Sequence, residues 1–236
     1  MGNVLIDESI LQGWADVVRE KQDLEDKMKP SVLLEKTREM GQGGSNEDFW
    51  RMYDGLKNYT RKFADMISLT SMPQIDTSNG TDFSYMFMNC TSLISMPELD
   101  TSNGSNMSDM FKNCTSLTSI PKLNVSNNTV FNNLFDACKS LVSLPELDVS
   151  NASKFSYTFR GCNGLQNILF VEASIKKSVS FSNSPLLSDA SIQSIIDGLA
   201  DLTDSTSPTL TLHADVKAKL TETQIATITN KNWTLA

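Results

Sequence analysis

A single fixed spacing governs the middle of this 236-residue protein. Cys90, Cys114, Cys138 and Cys162 stand one period apart, as do Pro73, Pro97, Pro121 and Pro145. Aromatics keep the same step at Phe63, Phe87, Phe111, Phe135 and Phe159, and leucines at Leu69, Leu93, Leu117, Leu141 and Leu165. Two more apolar columns run Met72, Met96, Ile120, Leu144 and Ile75, Leu99, Leu123, Leu147. A polar column of Asp76, Asp100, Asn124 and Asp148 leads into Ser-Asn pairs at 78–79, 102–103, 126–127 and 150–151. A fixed period of this length marks an architecture in which each repeat is one structural unit. In the second copy the inward set is Phe83, Phe87, Cys90, Leu93, Met96 and Leu99. Burying those side chains does not offset the entropy lost in ordering a whole coil, so a lone coil is unstable. The coils must stack and share hydrogen bonds with their neighbours, which makes the expected form a solenoid.

Within a coil, Leu93-x-x-Met96-Pro97-x-Leu99 predicts a short strand leaving a turn. Phe83, Met86, Phe87 and Cys90, spaced at three and four, predict a helical turn on the opposite side, with Asn79-Gly80 and Asn103-Gly104 marking turns between. The ends differ in composition, and three regions are expected: 1–62, 63–184 and 185–236. In the first, Ile10, Leu11, Trp14, Val17 and Val18 share one face of a helix that Asp7 can cap. Pro30 breaks that helix before a second from Ser31 to about Arg38, and Asn46 opens a third after the flexible Gly41–Ser45 joint. In the last region, Ser188–Asp201 reads as an amphipathic helix carrying Ile192, Ile195, Ile196 and Leu199. Thr209–His213 reads as an alternating strand, Val216 to about Thr229 as a second helix, and Trp233–Ala236 as a final strand. An open end of a stack exposes unpaired backbone groups and apolar rungs, so this module is expected to be a cap.

The formal charge is −8 and the pI lies near 4.7, which disfavours a nucleic-acid partner held through phosphates. No run approaches the apolar length of a membrane span. The first residues lack the basic and apolar regions of a secretory signal, and Ile6 stands where a myristoylation motif wants Ser or Thr. Synthesis in the bacterial cytoplasm without a leader is the expectation. His213 is the sole histidine, and there is neither a glycine-rich phosphate loop nor a His-Glu-x-x-His motif. Carboxylates such as Asp100 and Asp148 recur with the repeat, so they stack in a column instead of facing each other across a glycosidic bond. The expectation is a non-enzymatic protein with no catalytic residues, cofactor or metal.

The cysteine column admits three readings: free buried structural thiols, disulfides between coils, or a metal site. Thiols one coil apart have Cα atoms close enough for a disulfide, but side chains in a ladder point the same way and keep the Cβ atoms apart. A straight line of thiols also builds no tetrahedral site. The column is therefore assigned, with Phe87, Phe111, Phe135 and Phe159, to a structural ladder. The sequons at Asn89 and Asn113 are repeat columns and not glycosylation acceptors. Ser71, Ser95, Ser119 and Ser143 form another column, flanked by Thr70, Ile94, Thr118 and Val142. Short hydroxyls in register could bind a glycan or peptide through many weak contacts; the bland alternative is that exposed strand positions are simply polar and β-compatible. Ser71, Ser95, Ser119, Ser143, Thr70 and Thr118 are the candidate ligand-binding face.

The unit LDTSNGSNMSDMFKNCTSLTSIP, Leu99 to Pro121, resembles the BspA-type leucine-rich repeat of bacterial surface proteins and mycoplasma-type lipoproteins. That family's unit usually carries Val where this protein has Gly80, Gly104, Asn128 and Ala152, a loss of one small core contact per coil. The segment WADVVREKQDLEDKMKPSVLLEKTREM resembles the start of tail proteins of phages infecting Gram-positive hosts, and FWRMYDGLKNYTRKFADM resembles their lead-in. LTETQIATITNKNWTLA is similar to the closing segment of phage minor tail and tail-fibre-like proteins. The resemblance implies an α/β fold: a right-handed leucine-rich-repeat solenoid of 24-residue coils with an N-terminal α-helical segment and a C-terminal α/β cap. It implies a phage tail, baseplate or fibre-tip protein that displays its repeat surface for host recognition or adhesion. The N-terminal helices would bind other virion proteins, and the repeat face a host cell-wall glycan or surface protein. No membrane insertion is expected, and a homo-oligomer is open. The alternatives are a bacterial cell-surface adhesin module or a purely structural virion decoration protein.

Overall fold

A computed structural model of the protein describes residue 51, residues 53–203 and residues 207–236. The helices expected over residues 1–50 lie outside the described residues.

Successive repeats are bonded to one another rung to rung. The backbone N–H groups of Phe83, Tyr85, Phe87 and Asn89 reach forward to the carbonyls of Asn106, Ser108, Met110 and Lys112 in the following repeat. The next repeat does the same through Met107, Asp109, Phe111 and Asn113, and the one after through Phe131, Asn133, Phe135 and Ala137. The residues in between close tight turns instead: Met86 bonds back to Phe83, Met88 to Tyr85 and Cys90 to Phe87. This replaces the helical turn expected at Phe83–Cys90. A helix consumes its N–H groups internally, whereas here alternate donors are needed by the neighbouring repeat. The alternation puts Tyr85, Asn89, Asp109, Asn113, Asn133, Ala137 and Tyr157 at φ between 55° and 63°. That left-handed geometry costs about 1–2 kcal/mol for a non-glycine residue, and the bonds between repeats hold it in place.

The side expected to be a strand carries a single backbone bond at each of its first three steps and gains more only at the last. Ile94 N–H bonds to Thr70, Thr118 to Ile94, Val142 to Thr118 and Gln166 to Val142, with isolated parallel bridges pairing Ser119 with Ser143 and Ser143 with Asn167. The proline column explains why these bridges do not lengthen into strands, since Pro97, Pro121 and Pro145 have no N–H to extend the ladder. A third seam runs where Thr81, Ser105, Thr129 and Ser153 each send a backbone N–H back by one full repeat, to Lys57, Thr81, Ser105 and Thr129. Their side-chain hydroxyls donate to the same carbonyls.

Inside, the phenylalanine column is a pile of nearly parallel rings. Centroids lie 5.4 Å apart for Phe63–Phe87, 5.6 Å for Phe87–Phe111, 5.7 Å for Phe111–Phe135 and 6.1 Å for Phe135–Phe159. Phe181, from beyond the repeats, stacks next at 4.9 Å. The other end begins earlier than the expected Phe63: Tyr59 already stacks on Phe83 at 5.3 Å and bonds to Asp82.

The substituted valine corner is filled, contrary to the expected loss of contact. A Cβ on Gly80 would lie 2.4 Å from the Phe83 ring, and one on Gly104 would lie 3.0 Å from the same ring. The Phe83 side chain occupies the volume that the missing side chains vacate. Asn128, in the same column, is fully buried, and both its amide nitrogen and oxygen lack a partner among the described residues.

Beyond the repeats the order is β1 (Val179–Phe181), α1 (Asp189–Gly198), β2 (Thr209–Leu212), α2 (Ala214–Lys217), α3 (Glu222–Asn230) and β3 (Thr234–Leu235). The three strands form a parallel sheet in the order β1-β2-β3. Ser188 caps α1 by accepting from Ser191 N–H. The single helix expected from Val216 to Thr229 is two: Thr221 opens α3 with a capping box shared with Gln224. His213, expected in a strand, is instead the N-cap of α2, its Nδ1 accepting from Asp215 N–H. Two serines of α1 take the place of a further repeat, since Ile168 N–H bonds to Ser191 Oγ and Phe170 N–H to Ser194 Oγ, both at 2.9 Å. Trp233 Nε1 closes the module by donating to Ala200. Repeats and closing module share one continuous apolar core.

Candidate recognition face

The six candidate face residues fall at one corner of the repeat. Leu93 and Met96 turn inward there, which leaves the two residues between them outside. Ser95, Ser119, Thr70 and Thr118 are exposed, while Ser71 and Ser143 are half-buried. The column is therefore not the uniform hydroxyl strip that the sequence suggested. Ser119 and Ser143 are brought together by their bridge, and Thr70, Ile94, Thr118 and Val142 by the bonds between successive repeats. The Thr118 hydroxyl leans on Ile94 carbonyl at 3.4 Å. Between the hydroxyls, Ile94 is 52% and Val142 38% exposed. Those two apolar residues were flankers in the sequence reading, yet an exposed β-branched side chain in a repeat column is the signal that finds them. The corner offers dispersion contact and hydroxyl donors together.

Next along each repeat lies a shallow depression walled by Glu98, Asp100, Lys122, Glu146 and Asp148. Lys122 approaches Glu146 at 4.0 Å, and both are exposed, so the pair adds little stability. The Asp76 and Asp100 carboxylates serve local structure. Asp76 is held below the usual carboxylate range by the backbone N–H and hydroxyl of Ser78, and Asp100 by the hydroxyl and backbone N–H of Ser102.

All four thiols are free and buried. Each donates to a phenylalanine carbonyl 27 residues earlier: Cys90 to Phe63, Cys114 to Phe87, Cys138 to Phe111 and Cys162 to Phe135, at 3.0–3.2 Å. Burial pushes Cys114 and Cys162 up to about 12 and raises Cys90 and Cys138 as well. They are S–H donors, not nucleophiles, because reactivity belongs to the thiolate. Among the described residues no group of His, Cys, Asp or Glu is arranged to hold a metal. The sequon asparagines are also occupied: Asn89 Nδ2 donates to Asp65 and Asn113 Nδ2 to Asn89.

The bonded repeats are the part of the protein that a known family describes. Residues 52–170 match the family described as Mycoplasma protein of unknown function, DUF285, a domain associated with BspA-like repeat proteins. This protein belongs to the DUF285 family. The matched region covers the bonded repeats and ends at Phe170, where the serines of α1 take over the backbone pairing. DUF285 thus describes the stack and not the closing module. Comparison with curated proteins and with solved structures gives no match. Among the described residues no helix is long and apolar enough to cross a membrane.

Proposed function

We propose that this DUF285 protein is a non-enzymatic recognition scaffold: a right-handed leucine-rich-repeat solenoid whose exposed corner meets a host glycan or surface protein. The observation that carries the reading is the corner itself. Thr70, Ile94, Thr118 and Val142 are bonded one above the next, with exposed Ser95 and Ser119 beside them and the apolar side chains of Ile94 and Val142 turned outward. A periodic surface of this kind suits a ligand that is itself periodic, bound through many weak contacts. Asp76 and Asp100 are taken up by turn capping and the four thiols by buried S–H donation, which supports a binding role over a chemical one.

For the setting we propose a phage tail, baseplate or fibre tip, with residues 1–62 attaching the protein to other virion proteins. Its support is the resemblance of the two end segments to tail proteins. A bacterial cell-surface adhesin module is the second reading, favoured by the mycoplasmal description of the family. Neither setting calls for nucleic acid or membrane insertion.

Two measurements test this. Mass spectrometry of purified particles should detect the protein, and its absence from them ends the virion reading. Purified protein should co-sediment with host cell walls at micromolar concentration, and Ser95→Lys with Ser119→Lys should abolish that while leaving the circular dichroism spectrum unchanged. Sedimentation that survives both substitutions removes the corner as the site.

A further inference from the structure

One five-residue sequence occurs twice. Asp76-Thr77-Ser78-Asn79-Gly80 and Asp100-Thr101-Ser102-Asn103-Gly104 are identical and occupy the same place in consecutive repeats. Their backbones are held alike: Gly80 N–H bonds to Thr77 at 2.8 Å and Gly104 N–H to Thr101 at 2.9 Å. In both, the aspartate accepts from the serine N–H at 3.0 Å. The asparagine side chains differ. Asn103 Nδ2 donates to Ser78 carbonyl at 2.8 Å, and Asn127 and Asn151 repeat that contact on Ser102 and Ser126. Asn79 is exposed, and among the described residues no partner meets its amide. The acceptor that would correspond to Ser78, one repeat earlier, falls at Asp54. There the backbone is not yet a repeat: Gly55 takes a φ of +67° and bonds forward to Asp76, and the Asp54 side chain accepts from Asp76 N–H.

We infer that Asn79 is a site of spontaneous deamidation and that Asn103, in the same local sequence, is protected from it by its bond to the preceding repeat. The Gly80 backbone nitrogen attacks the amide carbon of the Asn79 side group, losing its proton to solvent base. The new N–C bond closes a succinimide ring, the bond from that carbon to the amide nitrogen breaks, and the departing NH2 takes a proton back from solvent to leave as ammonia. Water then opens the ring at either carbonyl to give aspartate or isoaspartate; no oxidant or cofactor is needed. Glycine permits the attack because no Cβ hinders it. Asn79 is free to turn its amide carbon toward Gly80 N, whereas Asn103 must first break its bond to Ser78. A neutral hydrogen bond is worth about 0.5–1.5 kcal/mol net, so the expected rate ratio is about 2- to 12-fold. The isoaspartate product routes the backbone through an extra methylene two residues before Thr81, whose N–H and hydroxyl both bond to Lys57. The lesion therefore loosens the seam at the first repeat.

The test is to incubate the full-length protein at mildly alkaline pH and follow the one-dalton gain by peptide mapping, once folded and once in denaturant. The expected result is faster conversion at Asn79 than at Asn103 in the folded protein and equal conversion in the denatured one. Equal rates when folded, or faster conversion at Asn103, overturn the inference. A difference that persists in denaturant also overturns it, since the cause would then be sequence and not the bond to Ser78.

Discussion

Asn128 is the position where a single substitution should make this protein more stable. It is fully buried with both ends of its amide unpaired among the described residues, at the position where the BspA-type unit that this repeat resembles carries valine. A buried polar group left without a partner costs about 1–3 kcal/mol, and nothing on its side chain offsets that cost. Its backbone N–H bond to Val125, 3.0 Å long, does not depend on the side chain. Asn128→Val removes the unpaired amide and buries apolar atoms in its place, so unfolding should become harder by about 1–3 kcal/mol. For a protein of this size each kcal/mol moves Tm by about 2–4 °C. Urea unfolding monitored by circular dichroism measures the change, with an unchanged slope confirming that only stability moved. Asn128→Ala should gain less, because it relieves the amide but leaves a void. If Asn128→Val keeps the native spectrum yet is neutral or destabilising, the amide has a buried partner, such as an internal water, and the reasoning fails.

Two further outcomes follow from the same packing. Gly80→Ala drives a Cβ into the Phe83 ring and should cost about 1–3 kcal/mol by overpacking; adding Phe83→Met should recover most of that, and a double-mutant cycle showing no coupling refutes the exchange of volume between the two sites. The thiols make stability fall on the alkaline side. Their folded-state values are raised, so their contribution is complete below the ordinary thiol range and is lost as pH climbs from there toward the folded values. Between about pH 9 and 12 Cys114 and Cys162 each lose about 1.4 kcal/mol per pH unit, and Cys114→Ala should make the decline of urea midpoint with pH shallower.

The inward columns were legible because burial imposes a repeated chemical type: the phenylalanines, cysteines and leucines named from spacing are the residues that stack and bury. Local conformation was harder to read. Spacing of three and four at Phe83, Met86, Phe87 and Cys90 fits a helix and a series of tight turns equally well; what separates them is where alternate N–H groups go, a property of two repeats at once. Ser191 and Ser194 escaped for the same reason, as acceptors for Ile168 and Phe170 that only the fold brings near. The departure at Gly80 was visible in its column, but that the Phe83 ring fills the vacated volume is a matter of shape that spacing does not show. At the candidate face the serines keep their period but not a common exposure, because the half-burial of Ser71 and Ser143 depends on how tightly each corner turns.

Each interior repeat both closes its own turns and hands its alternate N–H groups to the next, so one face offers the donors that match the carbonyl acceptors on the opposite face of its neighbour. Copies are therefore interchangeable at their joints, and only the first rung at Tyr59 and the serines of α1 are unique fittings. Gene segments encoding whole multiples of the period can be lost or duplicated between those fittings without any new contact having to be invented. Lineages can thus lengthen or shorten the stack by unequal recombination, as one adjusts a bracelet by its links.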